Sequence, residues 1–196
     1  MNLVDRIENY WSKRSDDFFD LRIEELKSDK RQLWQDEIIA NLPDKEHLKI
    51  LDVGCGPGFF SVILSSLGHD VIGIDLTESM IQKADEIADI LDYDIDFRVM
   101  NAQELDFDDE EFDVVISRNL TWTLPDIEKA YKEWYRVLKK DGVLLNFDAD
   151  YGKVSLKEEM KSLGEEHSHN MMDSSLVKEC DDIKQELEIS KRRRPM

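Results

Sequence analysis

Cysteine is scarce in this sequence: Cys55 and Cys180 are the only two in 196 residues. They lie far apart and Cys55 sits among glycines, which argues against a disulfide framework and fits a reducing compartment. Long apolar runs are missing too. None approaches the roughly 18 consecutive apolar residues of a membrane-spanning helix, and the opening MNLVDRIENYW has neither the basic flank nor the apolar centre of a secretion signal. Basic side chains are few, 26 Lys and Arg against 45 Asp and Glu, a formal charge of -19. The imbalance lies in residues 1–152, with 35 acidic against 17 basic side chains, a surface that repels phosphate backbones and makes nucleic acid a poor partner. The basic KRRR at 191–194 reads as a solvated end. His47, His69, His167 and His169 show no metal-ligand spacing, so no metal is expected. These absences leave a soluble, cytoplasmic protein with no membrane partner.

Hydrophobic residues make up 41% of the chain, enough for a core, and the length favours one structural domain. Short apolar runs alternate with amphipathic stretches from residue 48, the pattern of parallel strands and crossover helices. LKILDVG (48–54), DVIGID (70–75), IDFRVM (95–100), FDVVIS (112–117) and GVLLNFD (142–148) are the predicted strands, and their continuous apolar character implies a sheet covered on both faces. A short helix over 60–68 should stop at Gly68, and Thr77 should cap the next, in which Met80, Ala84, Ile87, Ala88 and Leu91 share a face. Pro125 suits the first turn of another, with Ile127, Ala130, Trp134, Val137 and Leu138 inward before an Asp141-Gly142 turn. Residues 1–47 read as a helical cap with Phe18, Leu21, Leu26, Leu33, Trp34, Ile38 and Ile39 buried; 48–152 form the core, and 153–196 a helical lid or tail.

LDVGCGPGFF, residues 51–60, sets three glycines at alternate positions directly after the first strand. In a parallel sheet ligands bind beyond the carboxyl ends of the strands, where Gly54, Gly56 and Gly58 fall. Without side chains they permit a tight turn and let a ligand approach the backbone; Pro57 stiffens the turn and Cys55 is small enough to fit. Asp75 ends the second strand 17 residues after Gly58, placed to accept hydrogen bonds from two ribose hydroxyls. Capping of a turn is its competing role, and the preceding glycines favour the ribose. The dinucleotide fingerprint is GxGxxG; the spacing here is GxGxG.

LDVGCGPGFFS resembles the first motif of class I S-adenosylmethionine-dependent methyltransferases. The similarity continues through VIGIDLTESMI, NAQELDFDDEEFDVVISRN and AYKEWYRVLKKDGVLLNF, about residues 48–148. It implies a Rossmann-like three-layer α/β sandwich with a mainly parallel sheet, and a turn that holds a nucleoside with an amino-acid tail, not a phosphate. By resemblance, Asp52 and the stretch Gly54, Cys55, Gly56 and Gly58 surround the methionine part, Asp75 the ribose, and Leu76 and Met80 the adenine. NAQEL offers Asn101 to the adenine amino group, where Asp is commoner, with backbone contacts from Ala102 and Gln103. Arg118, Asn119 and Leu120 would form the floor beside the sulfonium, unless Arg118 pairs with a surface acid. ENYWSKRSDDF (8–18) resembles the segment that closes over the cofactor, so Tyr10, Trp11 and Arg14 form a lid or else pack on the core.

The implied reaction is in-line methyl transfer from S-adenosyl-L-methionine, leaving S-adenosyl-L-homocysteine, with alignment as the protein's main share. Acceptor contacts should come from RNLTWTLP (118–125) and NFDADYG (146–152): Trp122 and Tyr151 offer ring faces, and Asp148 and Asp150 can orient an amine or accept its proton, the alternatives being core packing and turn capping. SRNL stands where an exocyclic-amine nucleic-acid methyltransferase would show an Asn-Pro-Pro-Tyr-like sequence. With the acidic balance, this favours a small-molecule acceptor and a group resembling the ubiquinone and menaquinone biosynthesis methyltransferases, and protein acceptors stay open. The family's sheet ends in a reversed hairpin, whereas the 44 residues after Gly152 read as helices; the hairpin is expected to be absent, its edge open or covered in a homodimer. Two other function classes stay open, a module that binds the nucleoside without turnover and a nicotinamide-dependent oxidoreductase, the second weakened by the glycine spacing.

Overall fold

The computed structural model describes residues 2–148 and 174–192. Three helices come first: α1 (Leu3–Lys13), α2 (Ser15–Lys27) and α3 (Lys30–Ile39). The core follows as β1 (Lys49–Val53), α4 (Phe59–Ser66), β2 (Asp70–Asp75), α5 (Glu78–Ile90), β3 (Asp96–Val99), β4 (Phe112–Arg118), a 3-10 turn (Thr121–Thr123), α6 (Ile127–Val137) and β5 (Leu138–Phe147); α7 spans Ser174–Arg192. The sheet order is β3-β2-β1-β4-β5, every pair parallel. Among the described residues, no strand follows β5.

Alternation along the central strands splits the core in two. Ile50, Val71, Val114 and Ile116 face a layer made by α2, α3, α4 and α5. Leu51, Val53, Ile72, Ile74 and Val115 face α6 and the segment around Ala102 and Leu105. Because helices cover both faces, β1 and β4 carry apolar residues at successive positions instead of every second one. In α6, Ala130, Trp134 and Val137 recur at helical spacing and are fully buried, and the Trp134 indole N–H donates to the Ala102 carbonyl at 2.9 Å.

Several helix ends follow simple chemistry. Asn2 caps α1 through a capping box with Asp5. Asp126, directly after Pro125, accepts from the Lys129 N–H to open α6. Gly68, with φ +86°, follows α4. Three expectations are corrected. In α3, Trp34 and Ile38 share the inward face, whereas Leu33 and Ile39 flank it and are 67% and 48% exposed. Thr77 precedes α5 without capping it by its side chain. The strand predicted at 142–148 begins earlier: Leu138 pairs with Phe112 and Val143 with Val114, so residues 139–142 bulge within β5 instead of separating it from α6.

Candidate functional site

The chain leaves β1 toward β2 on one side, and β4 lies on the other, so the crevice of this sheet opens beyond the carboxyl ends of β1 and β4. A cavity of about 420 Å³ occupies that position, roofed by α1, α2 and α7. Its volume suits a small organic ligand.

The glycine turn forms one wall. Gly56 has φ +52°, and a Cβ there would meet no atom within 4 Å, so its backbone faces open space. Gly54 and Cys55 border the same cavity. Gly58 does not: a Cβ there would come within 3.0 Å of Phe97 and 3.3 Å of Ala84, so this glycine allows close packing at the start of α4.

Asp75 is held firmly. Its Oδ2 accepts from the Gly56 N–H at 3.1 Å, and its Oδ1 accepts from the Thr77 N–H at 3.0 Å and the Thr77 hydroxyl at 2.9 Å. That is why the threonine hydroxyl does not cap α5. These donors fix the orientation of the carboxylate, which borders the cavity. Burial raises the Asp75 pKa against the pull of these donors. Asp52, 2% exposed, accepts from the Ser61 hydroxyl at 2.6 Å; burial pushes its pKa up to about 7, with Ser61 opposing and the Asp75 charge adding.

Leu76, Met80, Asn101, Ala102 and Gln103 continue this wall. Asn101 Oδ1 accepts from the Gln103 N–H at 2.9 Å, and Gln103 Oε1 accepts from the Asp126 N–H at 2.6 Å. The backbone donor of Gln103 is therefore used within the protein.

The roof contains Tyr10, Trp11 and Arg14. Arg14 is 1% exposed, donates to the Tyr10 hydroxyl at 3.2 Å and to Asp17 at 3.1 Å, and lies over the Phe18 ring. Burial raises the Tyr10 pKa, the neighbouring Cys180 adds, and Arg14 opposes, so the phenol stays protonated at neutral pH. Trp11 packs edge-on against Tyr10, Phe18 and Trp122, and Lys184 of α7 sits over the Trp122 ring at 5.1 Å. These residues line the cavity and pack together at once.

Opposite them, Arg118 ends β4 with its guanidinium 4.5 Å from the Trp34 ring centre and 5.0 Å from that of Phe59. It donates to both oxygens of Glu25 at 3.4 Å, and Arg22 pairs with the same carboxylate. The partner of Arg118 is thus a buried acid on α2, not a surface one. Burial alone would raise the Glu25 pKa, but Arg22 and Arg118 outweigh it and hold it low. Asn119, at φ +56°, donates its N–H to the Phe147 carbonyl at 2.9 Å and borders the cavity with Leu120 and Trp122.

Asp148 does not border it. This exposed carboxylate accepts from the N–H and the hydroxyl of Thr121 at the start of the 3-10 turn. Asp150 and Tyr151 lie outside the described residues. The sequence reading missed Arg22, Glu25, Phe59 and Phe60 on the α2 side, and Cys180 and Lys184 on α7. Charged Arg22 and Glu25, three apart beside apolar Leu21 and Leu26, were the available signal on α2. Among the described residues, no group of His, Cys, Asp and Glu could hold a metal, and no helix is long and apolar enough to cross a membrane.

Residues 51–146 match the methyltransferase domain family. The ubiquinone/menaquinone biosynthesis C-methyltransferase UbiE of Rickettsia prowazekii is 35% identical over 144 residues, 69% of this chain and 57% of its own. The crystal structure of the PH0226 protein from Pyrococcus horikoshii is 31% identical, with a TM-score of 0.59 over 69% of this chain and 64% of that one. That of a SAM-dependent methyltransferase from Methanosarcina mazei is 35% identical, with a TM-score of 0.51 over 55% of each chain. The chain spans about half the length of the curated relatives it matches. With the GxGxG turn at the switch point of a five-stranded parallel sheet, residues 51–146 match the methyltransferase domain family and are similar to class I S-adenosylmethionine-dependent methyltransferases.

Proposed function

We propose that the chain binds S-adenosylmethionine in this cavity and transfers its methyl group to a small-molecule acceptor. The observation that carries the reading is the open backbone at Gly56 beside the Asp75 carboxylate on the cavity wall. The residues present fit the cofactor: a wall without side chains, an acid for a ribose hydroxyl, apolar Leu76 and Met80, and the Asn101 amide all border one cavity. The relatives named as a UbiE C-methyltransferase and a SAM-dependent methyltransferase support the same reading.

S-adenosylmethionine supplies a methyl group already activated on a sulfonium, so the protein needs no nucleophile of its own. Its residues divide the remaining work. Asp75 and Asn101 would hold the nucleoside, and Asp52 places a carboxylate under the turn. Tyr10 and Arg14 would meet the amino-acid tail and, with α7, keep water from the reacting groups. Arg118, Asn119 and Trp122 border the space left for the acceptor. Holding two reactants in line is worth effective molarities of about 10⁵ to 10⁸ M, enough for this wall to act without a catalytic triad.

The test is to incubate the chain with methyl-labelled S-adenosylmethionine and a panel of phenols, amines, thiols and carboxylates, following label transfer and S-adenosylhomocysteine formation. Acceptor-dependent transfer that is lost in Asp75→Ala supports the proposal. Tight cofactor binding with no transfer to any member would replace it with a binding module.

A further inference from the structure

Two carboxylates stand close together where β1 and β2 meet the cavity. Asp52 of β1 lies opposite Gly73, two residues before Asp75 on β2, and both acids border the same space. Among the described residues, neither enters an ion pair: Asp75 is held by the Gly56 and Thr77 donors, and Asp52 by the Ser61 hydroxyl at 2.6 Å. The cation that acts on Asp52 is Arg118 of β4, whose guanidinium donates to both oxygens of Glu25. A carboxyl that is 2% exposed, with a second acid beside it and no cation bonded to it, keeps its proton close to neutral pH, because ionisation would place a charge away from water.

Burial accordingly pushes Asp52 up to about 7, with Ser61 opposing, Asp75 adding and Arg118 opposing. The other groups around it are set differently. Burial raises the Cys55 thiol in the glycine turn, with Asp52 and Asp75 adding, and burial also raises Tyr10 and Cys180 across the cavity. Burial opposes the ionised Glu25, but Arg22 and Arg118 hold it low. Arg14, Arg22, Lys30, Lys184 and Glu24 are the other charged groups on the lining, and among the described residues no histidine borders it. That leaves Asp75, which burial also raises, to be separated from Asp52 by experiment.

An S-adenosyl ligand brings a cation to this wall: its amino-acid tail carries an ammonium, and S-adenosylmethionine a sulfonium besides. Resting on the methyltransferase reading, we propose that Asp52 couples cofactor binding to proton release: its carboxyl O–H breaks as the ligand's cation docks, the electron pair stays on the oxygen, and the proton leaves to solvent. The cation takes the proton's place as partner of the buried carboxylate, so the cofactor binds more tightly as pH rises through neutrality. Ser61, which bonds to the ionised form, sets where that rise falls.

The test is calorimetric titration of the full chain from pH 6 to 8 in buffers of different ionisation enthalpy, which counts the protons released per ligand bound. S-adenosylhomocysteine is compared with 5′-methylthioadenosine, which keeps the ribose and the thioether and lacks the charged tail. S-adenosylhomocysteine should release most of a proton at pH 6 and about half of one at pH 7, its affinity rising about tenfold from pH 6 to 8. Methylthioadenosine, which offers Asp75 the same ribose, should release none. In Asp52→Asn the release should vanish and the pH dependence flatten, whereas Ser61→Ala should move the release curve up by about one pH unit. No release from the wild type, equal release with methylthioadenosine, release retained in Asp52→Asn, or an unmoved curve in folded Ser61→Ala would each overturn the proposal. Where Asp52→Asn or methylthioadenosine fails to bind, the wild type and Ser61→Ala decide. Binding without proton release overturns this inference alone, whereas absence of S-adenosylhomocysteine binding at every pH overturns the cofactor reading beneath it.

Discussion

Asp52→Asn should make this protein more stable at alkaline pH and leave it almost unchanged in acid. The carboxyl is 2% exposed, receives the Ser61 hydroxyl at 2.6 Å, and is pushed from 3.8 to about 7 by burial. A rise of about three pH units corresponds to about 4 kcal/mol of cost to the fold when the group ionises. The sign follows from proton binding. Between about pH 4 and 7 the folded chain keeps a proton that the unfolded chain has released, so this group's contribution falls as pH rises through that window, and above about 7 the whole penalty is present. The amide is neutral throughout and its oxygen can still accept from Ser61. Urea unfolding followed by tryptophan fluorescence, at pH 4.5, 6 and 8, should show the variant gaining up to about 4 kcal/mol at pH 8 and under about 1 kcal/mol at pH 4.5. A difference that stays constant with pH, or grows toward acid, would refute the reasoning. Because Asp52 borders the cavity, the same substitution should weaken S-adenosylmethionine more than S-adenosylhomocysteine, which lacks the sulfonium charge.

Three further perturbations probe other parts of the structure. Asp75→Ala should weaken S-adenosylhomocysteine by about 1.5–3 kcal/mol in a titration, the value of a charge-assisted hydrogen bond to the ribose; unchanged affinity in a folded variant counts against ribose binding there. Gly56→Val should cost about 1–3 kcal/mol of stability in a urea melt, because a branched residue resists φ +52°, and should abolish cofactor binding by filling the open space; retained binding would show that the ligand lies elsewhere. Asp113 is held well below the usual carboxylate range despite its burial, by Lys45, the Lys49 N–H and Lys139. Its stabilisation is present above about pH 4 and lost as pH falls below that, so Asp113→Asn should cost about 2 kcal/mol at pH 7 and progressively less in acid, and parallel stability profiles for the two proteins would contradict this.

The centre of the sheet was legible because β1, β2 and β4 are buried on both faces. Runs such as Val71 to Ile74 and Val114 to Ile116 need no partner to declare themselves, and the glycine spacing located the crevice. Local pattern failed where tertiary contact decides. Leu33 and Ile39 look like core by composition, yet the inward face of α3 is set by Trp34 and Ile38. Thr77 has the chemistry of a cap, but the Asp75 carboxylate lies closer to its hydroxyl than a helix amide does. The Asp141-Gly142 pair reads as a turn, whereas the pairing of Leu138 with Phe112 absorbs it as a bulge. In the site, residues next to strand ends were found and those from other elements were not. Glu25 meets Arg118 across 93 positions of sequence, and Cys180 and Lys184 reach the cavity only because α7 packs on α1 through Ile183 and Leu187 against Ile7 and Tyr10.

The central claim is that the cavity at the switch point holds a sulfonium nucleoside. Calorimetric titration of the purified chain with S-adenosylmethionine, S-adenosylhomocysteine and NADH, each repeated on Gly56→Val, tests it most directly. The account predicts saturable one-to-one binding of the first two, none of NADH, and loss of both in the variant. Absence of S-adenosylmethionine binding in a folded sample, or binding of NADH in its place, would contradict it.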